Sequence, residues 1–252
     1  MSDLADIFRM HRICVIVPTY NNAGTIADVL HRIESITQQI IVVNDGSTDD
    51  TKAILDADFA SLSRVEYAEN KGKGYALRRG LRYAREQGYA YAITIDSDGQ
   101  HFPEDIPLIV QKHEQNPDAI VVGARCLNEK NMPSGNTFAN KFSNFWFKLQ
   151  TSIDLPDTQS GFRLYPLNHL SGERFLTARY EAELALLVFS AWAGTPIVST
   201  PVRVYYPPQE ARVTHFRPFA DFARISLLNG ALCFLAVVYG YPRMLLRKLC
   251  KK

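Results

Sequence analysis

The sequence predicts an α/β fold, with a mostly parallel central sheet flanked by helices. Short apolar, β-branched runs alternate with helix-periodic segments over residues 12–125. Four of those runs end in polar stretches, "VPTYNN", "VNDGS", "IDSDGQ" and "GARC". A parallel sheet brings such strand ends to one rim, where ligands of these folds sit. The chain of 252 residues is 46% hydrophobic and 21% charged, enough for one large domain with a real core.

"RICVIVPTY" opens the fold as a buried strand stopped by Pro18. "AGTIADVLHRIESI" follows, with Ile26, Val29, Leu30 and Ile33 at helical spacing. "QQIIVVNDGSTDDT" supplies a second strand and a polar loop, where Ser47 or Thr48 is expected to cap a helix continuing through Ile54. "SRVEYAEN" reads as a third strand. "KGKGYALRRGLRYAREQG" reads as a basic helix closed by Gly88. "YAYAITID" is a fourth strand ending at Asp96. "FPEDIPLIVQKHEQ" is a helix whose acidic first turn suits the helix dipole, and "DAIVVGAR" is a fifth strand.

Beyond residue 125 the pattern loosens. "NTFANKFSNFWFKLQTSI" is an aromatic amphipathic helix, and "DTQSGFRLYP" is a polar loop entering a short strand. "RYEAELALLVFSAWAG" is a helix closed by Gly194, and "TPIVSTPVRVYY" is extended and interrupted by Pro201. "PPQEARVTHFRPF" is a basic loop. Residues 225–242 carry no charge and are followed by Arg243, Arg247, Lys248, Lys251 and Lys252. Such a run is borderline in length for a bilayer span, and its basic flank suits a cytoplasmic membrane surface. The alternative is a buried terminal helix. The expected division is a catalytic domain over 1–215 and a membrane-associating helical segment over 216–252.

The net charge of +2 gives no ground for a nucleic-acid partner. Cys14, Cys126, Cys233 and Cys250 lie far apart without metal-type spacing, which reads as reduced cytosolic thiols. The first twelve residues contain acids and no apolar run, unlike a secretory signal.

The chemistry concentrates at the strand ends. Asp96 and Asp98, two residues apart in an extended segment, point the same way, and Gln100 continues that side. Two carboxylates and an amide oxygen suit a hard cation, Mg²⁺ or Mn²⁺, which completes its shell with water and substrate phosphates. A solvated acidic turn is the plainer reading. Asp45 is either an acceptor for a nucleobase or ribose, or a turn acid capping a helix. Tyr20 is a candidate to pack beside a base, or a core tyrosine. His101 is a metal-ligand candidate or a solvated loop histidine. Lys71 and Lys73 read as solvated. "NKGKGYALRRG" matches neither the dinucleotide fingerprint nor the phosphate loop of NTPases. Glu181 and Glu183 are the candidate general bases for a hydroxyl acceptor. They point about 200° apart on a helix. Glu183 is preferred, against the reading of a surface or capping acid.

Taken in order, "VPTYNN", "VVNDGSTDDT", "NKGKGYALRRG", "IDSDGQH", "GAR" and "DTQSGFRLYP" resemble the family 2 glycosyltransferases, and among them the dolichol-phosphate mannosyltransferase-like branch. The resemblance covers about residues 13–165. It implies a nucleotide-binding domain of the GT-A type and an inverting, metal-dependent hexosyl transfer from a UDP- or GDP-sugar. It assigns Pro18, Tyr20 and Asp45 to the nucleotide, and Asp96, Asp98 and Gln100 to metal and diphosphate. Arg125 is implied near an acceptor phosphate, and Arg163 as an anion contact. Arg212, His215 and Arg217 match a basic loop that closes over the diphosphate in that branch; the alternative is a basic surface loop meeting membrane headgroups. Asn22 departs from the usual glutamate, although an amide still bonds a ribose hydroxyl. A lipid-linked, polyprenyl-phosphate-like acceptor at the cytoplasmic membrane face is the expected partner. The competing expectations are a glycan or other hydroxyl acceptor, and a non-catalytic nucleotide-binding membrane scaffold.

Overall fold

The computed structural model describes residues 4–125, 134–168, 170, 181–206 and 218–250. Among the described residues seven strands form one sheet: β1 Ile13–Thr19, β2 Ile40–Asp45, β3 Ser63–Tyr67, β4 Tyr91–Thr94, β5 Ile120–Arg125, β6 Arg163–Pro166 and β7 Ile197–Val202. Their order is β3-β2-β1-β4-β6-β5-β7. Every pairing is parallel except those of β6, which runs antiparallel to both β4 and β5. The helices are α1 Leu4–His11, α2 Ile26–Glu34, α3 Thr51–Asp58, α4 Lys73–Glu86, α5 Ile106–Glu114, α6 Ser134–Thr151, α7 Glu181–Ala193, α8 Pro218–Leu235 and α9 Tyr241–Cys250.

Strand alternation divides the core into two layers. From β1, Cys14 and Ile16 face the layer that contains α4, α6, α7 and α8. Ile13, Val15 and Val17 face the layer of α1, α2, α3 and α5. Helix α4 lies close on the sheet because Gly80 stands over β1 and β2. A Cβ there would approach Ile16 Cγ2 to 2.7 Å.

Three details differ from the sequence reading. Neither Ser47 nor Thr48 caps α3. Their hydroxyls bond Asn21, while Asp49 Oδ1 accepts from the Thr51 amide at 3.0 Å. The extended segment with Pro201 is a true strand, β7, and its edge position tolerates the missing N–H. The opening residues form a short helix that buries Phe8.

The reversed β6 positions the site. Because it pairs antiparallel with β4, Arg163 lies opposite Thr94 and its preceding loop reaches the C-terminal rim. Residues 157–162 are thereby laid beside the acids that follow β4.

The last helices share the core of the domain. Leu228, Leu232 and Ala236 belong to the same buried cluster as Trp192 and Tyr165. One π-helical turn, Ala236–Gly240, joins α8 to α9. Its Gly240 presses on the Trp192 indole, where a Cβ would come within 2.5 Å.

Candidate active site

The acidic loop is held from behind by the serine between its acids. Ser97 is 2% exposed, and its side chain turns away from those of Asp96 and Asp98. Its hydroxyl donates to Pro18 O at 3.0 Å and accepts from Asn22 Nδ2 at 2.9 Å. Thr25 Oγ1 donates to Ser97 O at 2.6 Å. Asn22 thus ties the end of β1 to the acidic loop. Tyr20 and Pro18 flank this junction, both half-buried.

Asp45, at the end of β2, is buried and accepts from the amides of Lys71 at 2.8 Å and Gly72 at 2.9 Å, and from Asn70 Nδ2 at 3.0 Å. A carboxylate so placed offsets the positive end of α4. Gly46 beside it has φ +68°, and a Cβ would come within 2.5 Å of the Glu69 backbone. Asp45 therefore sets where α4 begins, whatever else it binds.

The first residue of α4 is Lys73, and it is not solvated. Its ammonium lies 2.8 Å from Asp96 Oδ1, 2.9 Å from Asp96 Oδ2 and 3.1 Å from Glu183 Oε2. The neighbouring Lys71 ammonium stands over the Tyr75 ring at 5.2 Å. The sequence did carry a signal for Lys73. A cation at a helix N-terminus opposes the dipole, so it calls for acidic partners from elsewhere in the fold. Glu183 comes to the acids through this contact, on the first turn of α7. Glu181 is buried as well, and its Oε2 has no hydrogen-bond partner.

The two acids differ in their electrostatics. Burial opposes the charge of Asp96, yet the Lys73 ammonium holds its carboxyl below the usual range. Burial and then the charge of Asp96 push Asp98 up to about 6. Asp98 Oδ1 accepts from the Gln100 amide at 3.0 Å, closing a turn through Gly99 with φ +73°. Among the described residues no group of three or more His, Cys, Asp or Glu surrounds one point. The donor set nonetheless fits a hard cation that takes most of its shell from water and diphosphate. A half-buried carboxylate resisting ionisation beside a second carboxylate is stabilised by such an ion.

His101 is buried rather than solvated, and burial pushes its imidazole down to about 4. Its Nδ1 has no partner, and its ring lies 5.4 Å from that of Phe162. His101 pairs with Val204, and the Tyr205 amide donates to Gln100 O at 2.8 Å. The chain after β7 therefore passes directly beside the acids. His215 and Arg217, with Arg212, lie outside the described residues.

Arg125 forms a two-pronged pair with Asp157, Nε to Oδ2 at 2.7 Å and Nη2 to Oδ1 at 3.1 Å. Asp157 is fully buried and also accepts from Asn140 and from the amides of Gln159 and Ser160. Arg125 lies close enough to bias both Asp96 and Asp98.

Arg163 corrects the expectation of an anion contact. Its guanidinium is fully buried and donates to Ser160 O at 2.6 Å, Thr158 O at 2.8 Å, Glu183 O at 2.9 Å and Tyr165 Oη at 3.2 Å. Buried and with four of its N–H groups bonded to the protein, it braces the loop before β6 against α7. Gly161 in that loop makes room for the site. A Cβ there would stand 2.5 Å from Asp96 Oδ2.

The mostly parallel sheet, with acids and a cation gathered at its C-terminal rim, is a GT-A-like α/β fold. The chain belongs to glycosyl transferase family 2, whose model matches residues 14–168. It is 29% identical over 240 residues to the UDP-N-acetylglucosamine–dolichyl-phosphate N-acetylglucosaminyltransferase of Methanococcus voltae, across 86% of this chain and 96% of that one. It is 25% identical over 204 residues to the undecaprenyl-phosphate mannosyltransferase of Micrococcus luteus, across 76% of this chain and 82% of the relative. Glucosyl-3-phosphoglycerate synthase from Mycobacterium tuberculosis, solved with Mn²⁺, UDP and phosphoglyceric acid, has the same fold. Its TM-score is 0.67 at 21% identity, covering 92% of this chain and 81% of that one.

Proposed function

We propose that this glycosyltransferase moves a hexose, with inversion, from a UDP- or GDP-sugar to a polyprenyl-phosphate-like lipid at the cytoplasmic face of a membrane. The observation that carries the reading is the acidic rim itself, with Asp96 and Asp98 between a lysine and an arginine. The names of the relatives support the lipid phosphate acceptor, as does the exposed apolar surface of the last helices.

In this reading Pro18, Tyr20, Asn22 and Asp45 form the nucleotide end of the pocket. Asp98, with Asp96 and Gln100 beside it, would hold Mg²⁺ or Mn²⁺, which stabilises the charge left on the departing diphosphate. Arg125 adds positive charge on the acceptor side, and the family resemblance assigns His215 and Arg217 to the diphosphate. A phosphate acceptor is already ionised and needs little help from a base. The test is transfer from a panel of UDP- and GDP-sugars to a polyprenyl phosphate in detergent. Product on the lipid is expected. Transfer to soluble acceptors alone would overturn the acceptor, and loss of all transfer would support a scaffold instead.

A hydroxyl acceptor is the second reading, because Glu183 faces the acids through Lys73. Glu183→Gln separates the two. Near-full activity fits a phosphate acceptor, and a fall of ~100-fold or more fits a general base.

A further inference from the structure

Lys73 joins two carboxylates from distant parts of the chain. Asp96 follows β4 and Glu183 opens α7, and the ammonium reaches both within 3.1 Å. Its origin is fixed, since Asp45 holds the amides of Lys71 and Gly72 just ahead of it. Asp96 is hemmed in as well, since a Cβ on Gly161 would stand 2.5 Å from its Oδ2. The Lys73 side chain is 20% exposed and that of Glu183 9%, so water screens the group weakly.

Without Lys73, Asp96 and Glu183 would face each other across a poorly solvated gap, with Asp98 nearby. Like charges so placed repel, and an ammonium between them removes the repulsion. The same ammonium also opposes a divalent cation arriving at Asp98, because the ion meets a positive charge already seated on Asp96. A nucleotide diphosphate reverses the balance by bringing negative charge for both cations to share.

We propose that Lys73 is a positioning residue that holds Asp96 and Glu183 together in the donor-free protein and restrains metal uptake until a nucleotide diphosphate arrives. The proposal rests on the metal-dependent reading above. It makes an unusual demand. Removing the lysine should strengthen binding of the metal alone, whereas loss of a merely structural contact would weaken it.

The experiment titrates Mn²⁺ into nucleotide-free protein and follows the signal of free Mn²⁺ by electron paramagnetic resonance. Lys73→Met and Lys73→Gln are expected to bind Mn²⁺ alone about tenfold more tightly than wild type, and Lys73→Arg to stay within about twofold. The gain in affinity on adding UDP or GDP should shrink in the Met and Gln variants. Thermal melting confirms that each variant is folded, and two uncharged replacements guard against the failure of one. Unchanged or weaker Mn²⁺ binding by both, while wild type binds Mn²⁺ with nucleotide, overturns the role of Lys73 and leaves the metal reading intact. No Mn²⁺ uptake by wild type, with or without UDP or GDP, overturns the metal reading itself and this proposal with it.

Discussion

Asp98 combines two opposing demands, since burial and Asp96 resist its charge while the proposed cation requires it. With the carboxyl pushed up to about 6, a proton competes with the metal. Mn²⁺ affinity measured with nucleotide should therefore fall as pH drops through about 6, and Asp98→Ala should abolish Mn²⁺-dependent nucleotide binding. Calorimetric titration at pH 7.5 and 5.5 checks both, and unchanged affinity in the alanine variant would remove Asp98 from the metal. His113 makes a separate acid-side prediction. It is 1% exposed, both ring nitrogens lack partners, and the Tyr91 ring packs on it at a tilt with centroids 4.1 Å apart. Burial pushes it down to about 4, below its unfolded value of 6.5. Above that unfolded value both states are neutral and the group costs nothing. As pH falls from 6.5 to about 4, only the unfolded chain takes the proton, so stability drops by about 2–3 kcal/mol. Urea midpoints for His113→Leu should show a smaller loss between pH 7 and 4.5 than wild type; an equal loss would clear His113 of the effect.

Strand β6 and its preceding loop show how one short element organises a site. Arg163 braces that loop against α7, so Arg163→Met should cost about 3–5 kcal/mol in urea unfolding, because buried carbonyls lose their donors. An anion contact would instead raise KM and leave stability alone. Gly161→Ala tests the other face of the loop. A methyl 2.5 Å from Asp96 Oδ2 must move the carboxylate, and a displacement near 1 Å should cost ~100-fold in kcat with little change in melting temperature. Activity near wild type would show that Asp96 has room to yield. Much of this architecture was legible in advance. Near-complete burial of β1, β2 and β4 on both faces follows directly from apolar runs such as "ICVIVPT". The direction of β6 was not legible, since four residues hold no information about which strands they enter between. Arg163 was misread for a related reason. An arginine beside a polar loop resembles a ligand contact until its surrounding carbonyls are seen. For Lys73 the sequence offers only its place at a helix N-terminus, because the partners that answer that signal lie far away in sequence.

At the scale of the whole molecule, the last helices join the sheet domain to an open apolar surface. Residues Ile225–Arg247 form a stretch of 23 residues long and apolar enough to cross one. Yet one side of it is committed to the protein. Leu228, Leu232 and Ala236 lie in the core, Asn229 Oδ1 accepts from Gln150 Nε2 at 3.1 Å, and Tyr241 Oη donates to Leu149 O. The opposite side is apolar and open. Leu227 is 76% exposed, Phe234 68% and Val238 55%, and this spacing of seven and four residues places them on one face. Phe145 and Leu149 of α6 add exposed apolar surface beside it. A helix with one face in a protein core and the other apolar is suited to lie in the membrane interface, with Arg243 among the headgroups. Changing Leu227, Phe234 and Val238 together to serine should then release the protein from anionic vesicles in a flotation assay and leave its melting temperature nearly unchanged. Deleting residues 225–252 should behave differently. It strips Leu228, Leu232 and Ala236 from the core and uncovers Trp192, so the truncated chain should melt at a lower temperature or aggregate. Vesicle binding that survives the triple serine change would show that another surface carries the membrane contact. A truncated chain as stable as wild type would show that the last helices contribute nothing to the core.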